Sequence, residues 1–420
     1  MPAAHTAIVI GGGIAGPVAA TALTMAGIDA CVYEARPAEP EAANGIGGSL
    51  ALEPNGLAAL RIIDVDDAVR AAAIPITTSF MSIASKPGRA MPAPQGLPPR
   101  QLIDRGVLHG ILRERAQRAG VRIKHGKRLI GVEEGPAGVT AKFTDGSSAS
   151  ADVLIGADGV HSVVRGLIDP GAPGARYLNL LGFEGLVDGD ADGLTDLTPG
   201  SMTFAFGRRA YYLYWMRPDG RIGWGINLPS PQYLSLREAR AVPADEWLTT
   251  LRETYAGDTP GEWLAGRTPR ETLQAVGGLH IMPPVPHWYR DRMVLVGDAV
   301  HAPSNSTGQG ASLAMESAIQ LARCLRDLPD LPSAFATYEQ LRRTRVEKIA
   351  ARGARISHAK APGPVAQRMM RVMIPLMLKA MNVEKTMGEE QRYTIDWNAP
   401  VDGAASARAV STTTRADLTN

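Results

Sequence analysis

Three rhythms of hydrophobic and polar positions follow one another along this chain, and the switches between them divide it into regions. Residues 5–10 (HTAIVI) form a short apolar run rich in β-branched side chains, which predicts a buried strand. Val18, Ala19, Ala22, Leu23 and Ala26 then recur at helical spacing until Gly27, and residues 29–34 (DACVYE) predict a second strand that ends on Glu34. Another helix is predicted over 104–119, where Val107, Leu108, Ile111, Leu112 and Ala116 share one side. Strands returning through turns fill 121–143, Asp145-Gly146 reads as a hairpin, and Ala151 to Ile155 is again a buried run. From Arg176 to Leu228 the period becomes two. Phe204 and Phe206 share one face of a strand, Tyr212 and Tyr214 one face of the next, and Tyr211 and Trp215 take the opposite face. Asp219-Gly220 turns the chain toward Trp224. Residues 237–256 predict a helix, and Pro283-Pro284-Val285-Pro286 closes the region. The first rhythm then returns. A buried strand runs from Arg292 to Asp298, a flexible segment covers Ser304 to Gly310, and Ala311, Ala314, Ala318, Leu321 and Leu325 mark a helix. A basic helix spans 333–358. Met369, Met373, Met377 and Met381 recur every four positions beyond it, a face that packs on the body, walls a pocket or meets a second copy. From Ala399 onward the chain is small and polar, which predicts disorder.

Composition narrows the class. A chain of 420 residues holds two or three domains, and 45% hydrophobic with 20% charged residues is the balance of a soluble globular protein. A net charge of +2 gives no reason to expect a nucleic-acid partner. Two cysteines, Cys31 and Cys324, make neither a disulfide framework nor a metal cluster, so no metal site is expected. Neither a secretion signal nor an apolar run of membrane-spanning length is found, and a cytoplasmic enzyme is the expectation.

Candidate chemistry begins at Gly11, Gly13 and Gly16, spaced G-x-G-x-x-G directly after a strand and at the opening of a helix. That context fits a dinucleotide. The glycines allow a tight turn and a close approach to a pyrophosphate, the helix N-terminus offers free N–H groups, and Glu34 lies at the distance where a carboxylate accepts from ribose hydroxyls. The competing reading is an ordinary strand-helix-strand unit with Glu34 in water. Arg105 sits in the first turn of its helix, against the dipole, so either water or an anionic partner surrounds it. Asp158, between glycines, and Asp298 each end a parallel-type strand, where open α/β sheets bind ligands. His301 reads as a base or as a packed, hydrogen-bonded histidine. The seven aromatic residues between 204 and 224 read as sheet core or as the wall of a flat apolar pocket.

Three segments in this order, GGGIAG at 11–16 with Glu34, GADGVHSVVR at 156–165, and GDAVHAPSNSTGQGASLAMESA at 297–318, resemble the class A flavoprotein monooxygenases, the family of para-hydroxybenzoate hydroxylase. The resemblance runs from residue 5 to about 350 and fades in the last seventy. It implies an α/β fold: a Rossmann-type FAD-binding domain in pieces (1–74, 101–175, 286–358), an interleaved antiparallel-sheet substrate domain (75–100, 176–285), C-terminal helices (359–398) and a tail (399–420). It implies FAD held non-covalently by Gly11, Gly13, Ile14, Ala15, Gly16, Glu34, Ala35 and Arg36 at the adenosine end, with Arg105 and Asp158 at the phosphates. Gly297 and Asp298 would serve the ribityl chain, and Gly308, Gln309, Gly310 and Ala311 the pyrimidine edge. NADPH or NADH would visit briefly, since no second glycine-rich unit is present, and the glycines at 45–48 resemble the segment beside which the flavin swings. Hydride would reduce FAD, and O2 would add at flavin C4a to give a hydroperoxide that hydroxylates an aromatic or polycyclic substrate. The resemblance places Pro303 beside the flavin. Phe204, Phe206, Tyr212, Tyr214 and Trp224 are the substrate-binding candidates, and Tyr212 and Tyr214 the candidate bases. Baeyer-Villiger or epoxidising oxygen insertion, a halogenase, a reductase or a non-catalytic flavin-binding protein are the alternatives. The two-tryptophan halogenase pattern is absent. A monomer or homodimer is expected.

Overall fold

In a computed structural model that describes residues 2–38, 48–83, 88–136, 138–188, 194, 197–357, 369, 373 and 383–402, the first apolar run becomes β1 (Thr6–Ile10), inside a six-stranded sheet. The order is β18 (Tyr289–Arg290), β19 (Met293–Leu295), β12 (Val153–Gly156), β1, β2 (Asp29–Tyr33) and β8 (Arg122–Lys124). The pairings from β19 to β8 are parallel, and edge strand β18 is antiparallel. Ile8, Val9, Val32, Leu154, Ile155, Val294 and Leu295 are all buried, as continuous apolar runs covered on both faces must be. Helix α1 (Ala15–Met25) connects β1 to β2 and buries Val18, Ala19, Ala22 and Leu23. It packs on α9 (Gly310–Asp327), which in turn holds α2 (Pro54–Ile62) and α10 (Leu331–Ser357). Gly56 makes the α2 approach feasible, because a Cβ there would lie 2.3 Å from Ser312 Oγ.

Two small sheets flank this layer: β9 (Leu129–Gly135), β10 (Gly138–Phe143) and β11 (Ser148–Ala151); and β3 (Ser49–Leu52), β7 (Arg100–Asp104) and β4 (Ile74–Ile76). Helix α4 (Arg105–Arg118) follows β7, capped by Asp104, whose carboxylate accepts from the Gly106 and Val107 N–H groups.

The period-two region builds a seven-stranded sheet in the order β17 (Gln274–Ile281), β13 (Arg176–Val187), β16 (Ile222–Pro229), β15 (Tyr211–Met216), β14 (Ser201–Phe206), β5 (Thr78–Ile83) and β6 (Arg89–Ala90). Neighbours are antiparallel except for β14 and β5. One face is covered by α7 (Ala244–Tyr255) and α8 (Gly261–Arg267), which share its core through Leu251, Tyr255, Leu264 and Ala265. The single helix expected over 237–256 is two, because Pro243 starts α7 after α6 (Leu236–Ala241) has ended.

The chain from 384 to 402 lies along this body. Gln391 donates to Glu53, Arg345 to the Glu390 carbonyl, Arg326 to the Trp397 carbonyl and Arg323 to the Ala399 carbonyl. Disorder therefore does not begin at Ala399. Val401 is buried and its N–H donates to Asp327, so residues 399–402 find partners that their small, polar sequence does not announce. Met369 and Met373 are exposed. Gly45, Gly47, Met377, Met381 and residues 403–420 lie outside the described residues.

Candidate active site

The glycine turn carries out two distinct tasks. Gly11 adopts φ +104°, and a Cβ on Gly16 would lie 1.9 Å from the Gly11 carbonyl oxygen, so both positions are closed to side chains. Gly13 is the opposite case, because nothing lies within 4 Å of where its Cβ would be. The turn thus packs tightly inward and opens outward. Ile14 precedes α1 with no side-chain cap, which leaves first-turn N–H groups of Ala15 and Gly16 without a protein side-chain acceptor. Glu34 lies over this opening and accepts from the Gly12 N–H (2.6 Å) and the Arg36 N–H (2.8 Å); Ala35 forms the bend between them.

The second turn meets the first. Gly297, at φ +61°, approaches α1 so closely that a Cβ would lie 3.0 Å from the Ala15 Cβ. Asp298 follows, its carboxyl raised above the usual range by burial, with the Arg105 guanidinium opposing that shift. Arg105 from α4 and Asp298 from the end of β19 therefore share one electrostatic neighbourhood. Beyond it, Gly308 is left-handed (φ +63°) and Gln309 precedes α9 without a side-chain cap, so Gly310 and Ala311 open a second uncapped helix N-terminus. Pro303 closes this side: a Cβ on Gly310 would stand 4.0 Å from its Cγ. Gln309 itself is buried and pairs with Asn55.

Asp158 is engaged otherwise. Its carboxylate accepts from Ser162 Oγ and the Val163 and Val164 N–H groups, which fastens the start of α5 (Val163–Ile168). Arg165 on α5 donates 2.8 Å to the Ala299 carbonyl, so this motif braces the Asp298 turn from behind. His301 is packed: its Nε2 meets Ser317 Oγ at 2.8 Å, and burial pulls its pKa down to about 3, which leaves a neutral imidazole that is a weak proton acceptor.

Cross-strand register decides which aromatic residues face the turns. Asn227 on β16 bonds Asn305 at 3.0 Å, so its face of the sheet is the one that meets the 303–311 segment. Opposite Asn227, Gly225 and Gly223 stand Tyr211, Leu213 and Trp215, and opposite those stand Phe206, Phe204 and Met202. Phe204 and Phe206 are on this inner face. Tyr212, Tyr214 and Trp224 are not, and their assignment as substrate-contacting residues is corrected here. They sit in the core under α7 and α8, where the Gly261 N–H donates to the Tyr212 hydroxyl at 3.1 Å and Trp224 Nε1 donates to Thr268 Oγ1 at 3.0 Å. Burial also raises the Tyr212 hydroxyl far above the ordinary phenol value, so it is no base.

The arrangement suits one elongated anionic cofactor: the uncapped starts of α1 and α9 both abut the Gly297 turn, where a Cβ would meet Ala15 on one and Ala314 on the other, Glu34 borders the glycine turn, and the charge of Arg105 reaches Asp298. A family model described as FAD binding domain matches residues 4–187 and 284–353, more than half of the chain. The chain belongs to the class A FAD-dependent monooxygenases. This monooxygenase is 31% identical over 378 residues to an FAD-dependent urate hydroxylase of Klebsiella pneumoniae, covering 84% of this chain and 91% of that protein. It is 30% identical over 368 residues to a 3-amino-4-hydroxybenzoate 2-monooxygenase of Streptomyces cremeus, covering 83% and 86%. The crystal structure of Klebsiella pneumoniae HpxO complexed with FAD and uric acid superposes with TM-score 0.76 at 26% identity, covering 92% of this chain and 95% of that one. The monooxygenase is thus an oxidoreductase with FAD as its cofactor, and no helix among its described residues is long and apolar enough to cross a membrane.

Two residues of this monooxygenase escaped the sequence reading. His109 Nε2 donates to the Gly12 carbonyl and so holds the glycine turn from α4. Its signal was present, since it lies four residues after Arg105 and on the same helix face. Glu184, on the inner face of β13, accepts from the Ser49 N–H and Oγ and ties the seven-stranded sheet to β3. Nothing local in the sequence marks it, because the pairing spans 135 positions.

Proposed function

We propose that this enzyme hydroxylates a planar aromatic or polycyclic small molecule, held between the Pro303–Ala311 segment and the inner face of the seven-stranded sheet, with NADPH or NADH as a transient electron donor. FAD, when bound, supplies the electron transfer and oxygen activation. The observation that carries the reading is the Asn305–Asn227 bond, which sets the apolar face bearing Phe204, Leu213 and Gly225 opposite the uncapped start of α9. Gly11, Gly13, Ile14, Ala15, Gly16, Glu34, Ala35 and Arg36 hold the adenosine half of the cofactor, Arg105 its phosphates, Gly297 and Asp298 its ribityl chain, and Gly308 to Ala311 its ring. The dipole at the start of α9 would favour negative charge on a ring held there, and Asp158 would act through α5 rather than by contact. Pro303 and Phe204 exclude water and orient the substrate ring, with Phe206 and Tyr211 packed edge to face on the same side of the sheet, ring centroids 5.2 Å apart.

The test follows NADPH and NADH oxidation and O2 uptake by the purified yellow protein across a panel of hydroxylated aromatics, with 18O2 labelling of the product. Substrate-stimulated oxidation and one labelled oxygen bonded to a ring carbon are expected. A ring-expanded ester or an epoxide would move the reaction to another oxygen insertion, and unstimulated oxidation across the panel would refute the reading.

A further inference from the structure

One cation reaches the inner face from outside the sheet. Arg100 opens β7, and its Nη2 stands 3.1 Å from Glu53 Oε1, while its guanidinium lies 5.9 Å from the Phe204 ring centroid. Two further observations fix where this group is. Glu53 Oε1 is also the atom that a Cβ on Gly308 would meet, at 3.2 Å, so the pair borders the left-handed turn that starts α9. The charge of Arg100 is felt at the Tyr211 hydroxyl, where it opposes the upward push of burial. Arg100 thus stands where the start of α9, the N-terminus of α2 and the Phe204–Tyr211 face converge.

The rest of its environment shows what it is held for. Glu53 is buried and does not depend on Arg100 alone: Gln391 donates to its other oxygen at 2.9 Å, and burial raises its carboxyl above the ordinary range while the fields of Arg100 and then Arg352 oppose that shift. Arg100 keeps an 18% exposed side chain, with Glu53 at ion-pair distance from one end of its fork and the Phe204 ring beside its guanidinium carbon. Among the described residues, no acceptor meets its remaining N–H donors. A planar fork with free donors, gripped from behind beside an apolar ring, is the geometry that binds a flat oxyanion.

Resting on the hydroxylation reading above, we infer that Arg100 is a specificity-determining residue that anchors an anionic oxygen of the substrate, a carboxylate or an ionised phenol or enol, while Phe204 stacks against the substrate ring. Glu53 is the positioning residue that holds the fork in place and, in the absence of substrate, offsets its charge. Substrates of this enzyme are therefore ring compounds that carry an acidic oxygen, and neutral isosteres are discriminated against.

The experiment titrates the FAD-loaded enzyme with benzoate and with benzamide, which match in shape and differ in charge, and reads affinity by calorimetry and by the flavin absorbance band, without NAD(P)H. Benzoate is expected to bind about tenfold more tightly than benzamide. Arg100→Gln should erase that preference while leaving the benzamide Kd within about twofold, and Arg100→Lys should restore only part of it. The double variant R100Q/E53Q removes both charges of the pair together and guards against misfolding from a buried unpaired glutamate. Equal affinity for the two probes in the wild type, including no binding of either, or a preference that survives in R100Q and in the double variant, overturns the inference. Failure of the hydroxylation reading would show instead as unstimulated NAD(P)H oxidation with the benzoate preference intact.

Discussion

The glycine turn separates two demands that a single motif usually hides. At Gly16 the protein itself leaves no room, so Gly16→Ala should lower stability by about 1–3 kcal/mol or more and abolish flavin retention together. Gly13 faces open space, so Gly13→Ala should keep the melting temperature of the flavin-free protein and lose flavin, read as the ratio of flavin to protein absorbance. Equal effects of the two changes would mean that the outward opening at Gly13 is not where the cofactor runs. Tyr212→Phe addresses the relocated aromatic residues. It leaves the buried Gly261 N–H without its acceptor, which should cost about 1–3 kcal/mol in denaturant unfolding while turnover with a good substrate stays unchanged. A large loss of turnover at constant stability would return Tyr212 to the chemistry.

Elements explain why some of this was legible and some was not. The strand, turn and helix from 5 to 34 could be read because every cue is local: a β-branched run, fixed glycine offsets and helical spacing. The alternation of Tyr211, Tyr212, Leu213 and Tyr214 was equally plain, but alternation says only that two faces exist. Which face meets the α9 turn is decided by Asn227 and Asn305, 78 positions apart, and which face meets α7 and α8 is decided by segments that follow in the chain. The helices pose the same problem with charges. Glu316 on α9 is buried, lies 2.7 Å from Arg342 Nη2 and 2.9 Å from Arg345 Nε on α10, and accepts from Asn55 on α2. A basic helix thus conceals two arginines that lock three helices around one carboxylate. Glu316→Ala should cost about 3–5 kcal/mol, because it strands the fully buried Arg342 and takes one acceptor from the partly exposed Arg345; denaturant unfolding would register it, and a change below about 1 kcal/mol would show the cluster to be solvated.

For the molecule as a whole, acid should act through His301. Its folded pKa of about 3 lies below the ordinary 6.5, so the unfolded chain takes up the proton first. The stability it contributes is complete above pH 6.5 and falls as pH drops from there toward 3, by about 1.4 kcal/mol per pH unit. Glu53, Glu184, Asp158 and Asp298, raised by burial, act in the opposite sense, so the comparison of wild type with His301→Gln isolates the histidine. Melting temperature against pH should be flatter below 6.5 in that variant, and parallel curves would contradict the assignment.

The interleaving of the two sheets sets the order in which the enzyme becomes itself. The seven-stranded sheet takes its last strand at Ile281, whereas the six-stranded one still lacks β18 and β19, and α9 does not begin until Gly310. During synthesis the seven-stranded sheet can assemble while the glycine turn still lacks the Gly297 turn and α9. Capture of the prosthetic group thus belongs to the final stage of maturation, and translation that stalls between 281 and 310 should yield colourless chains whose aromatic sheet is already built.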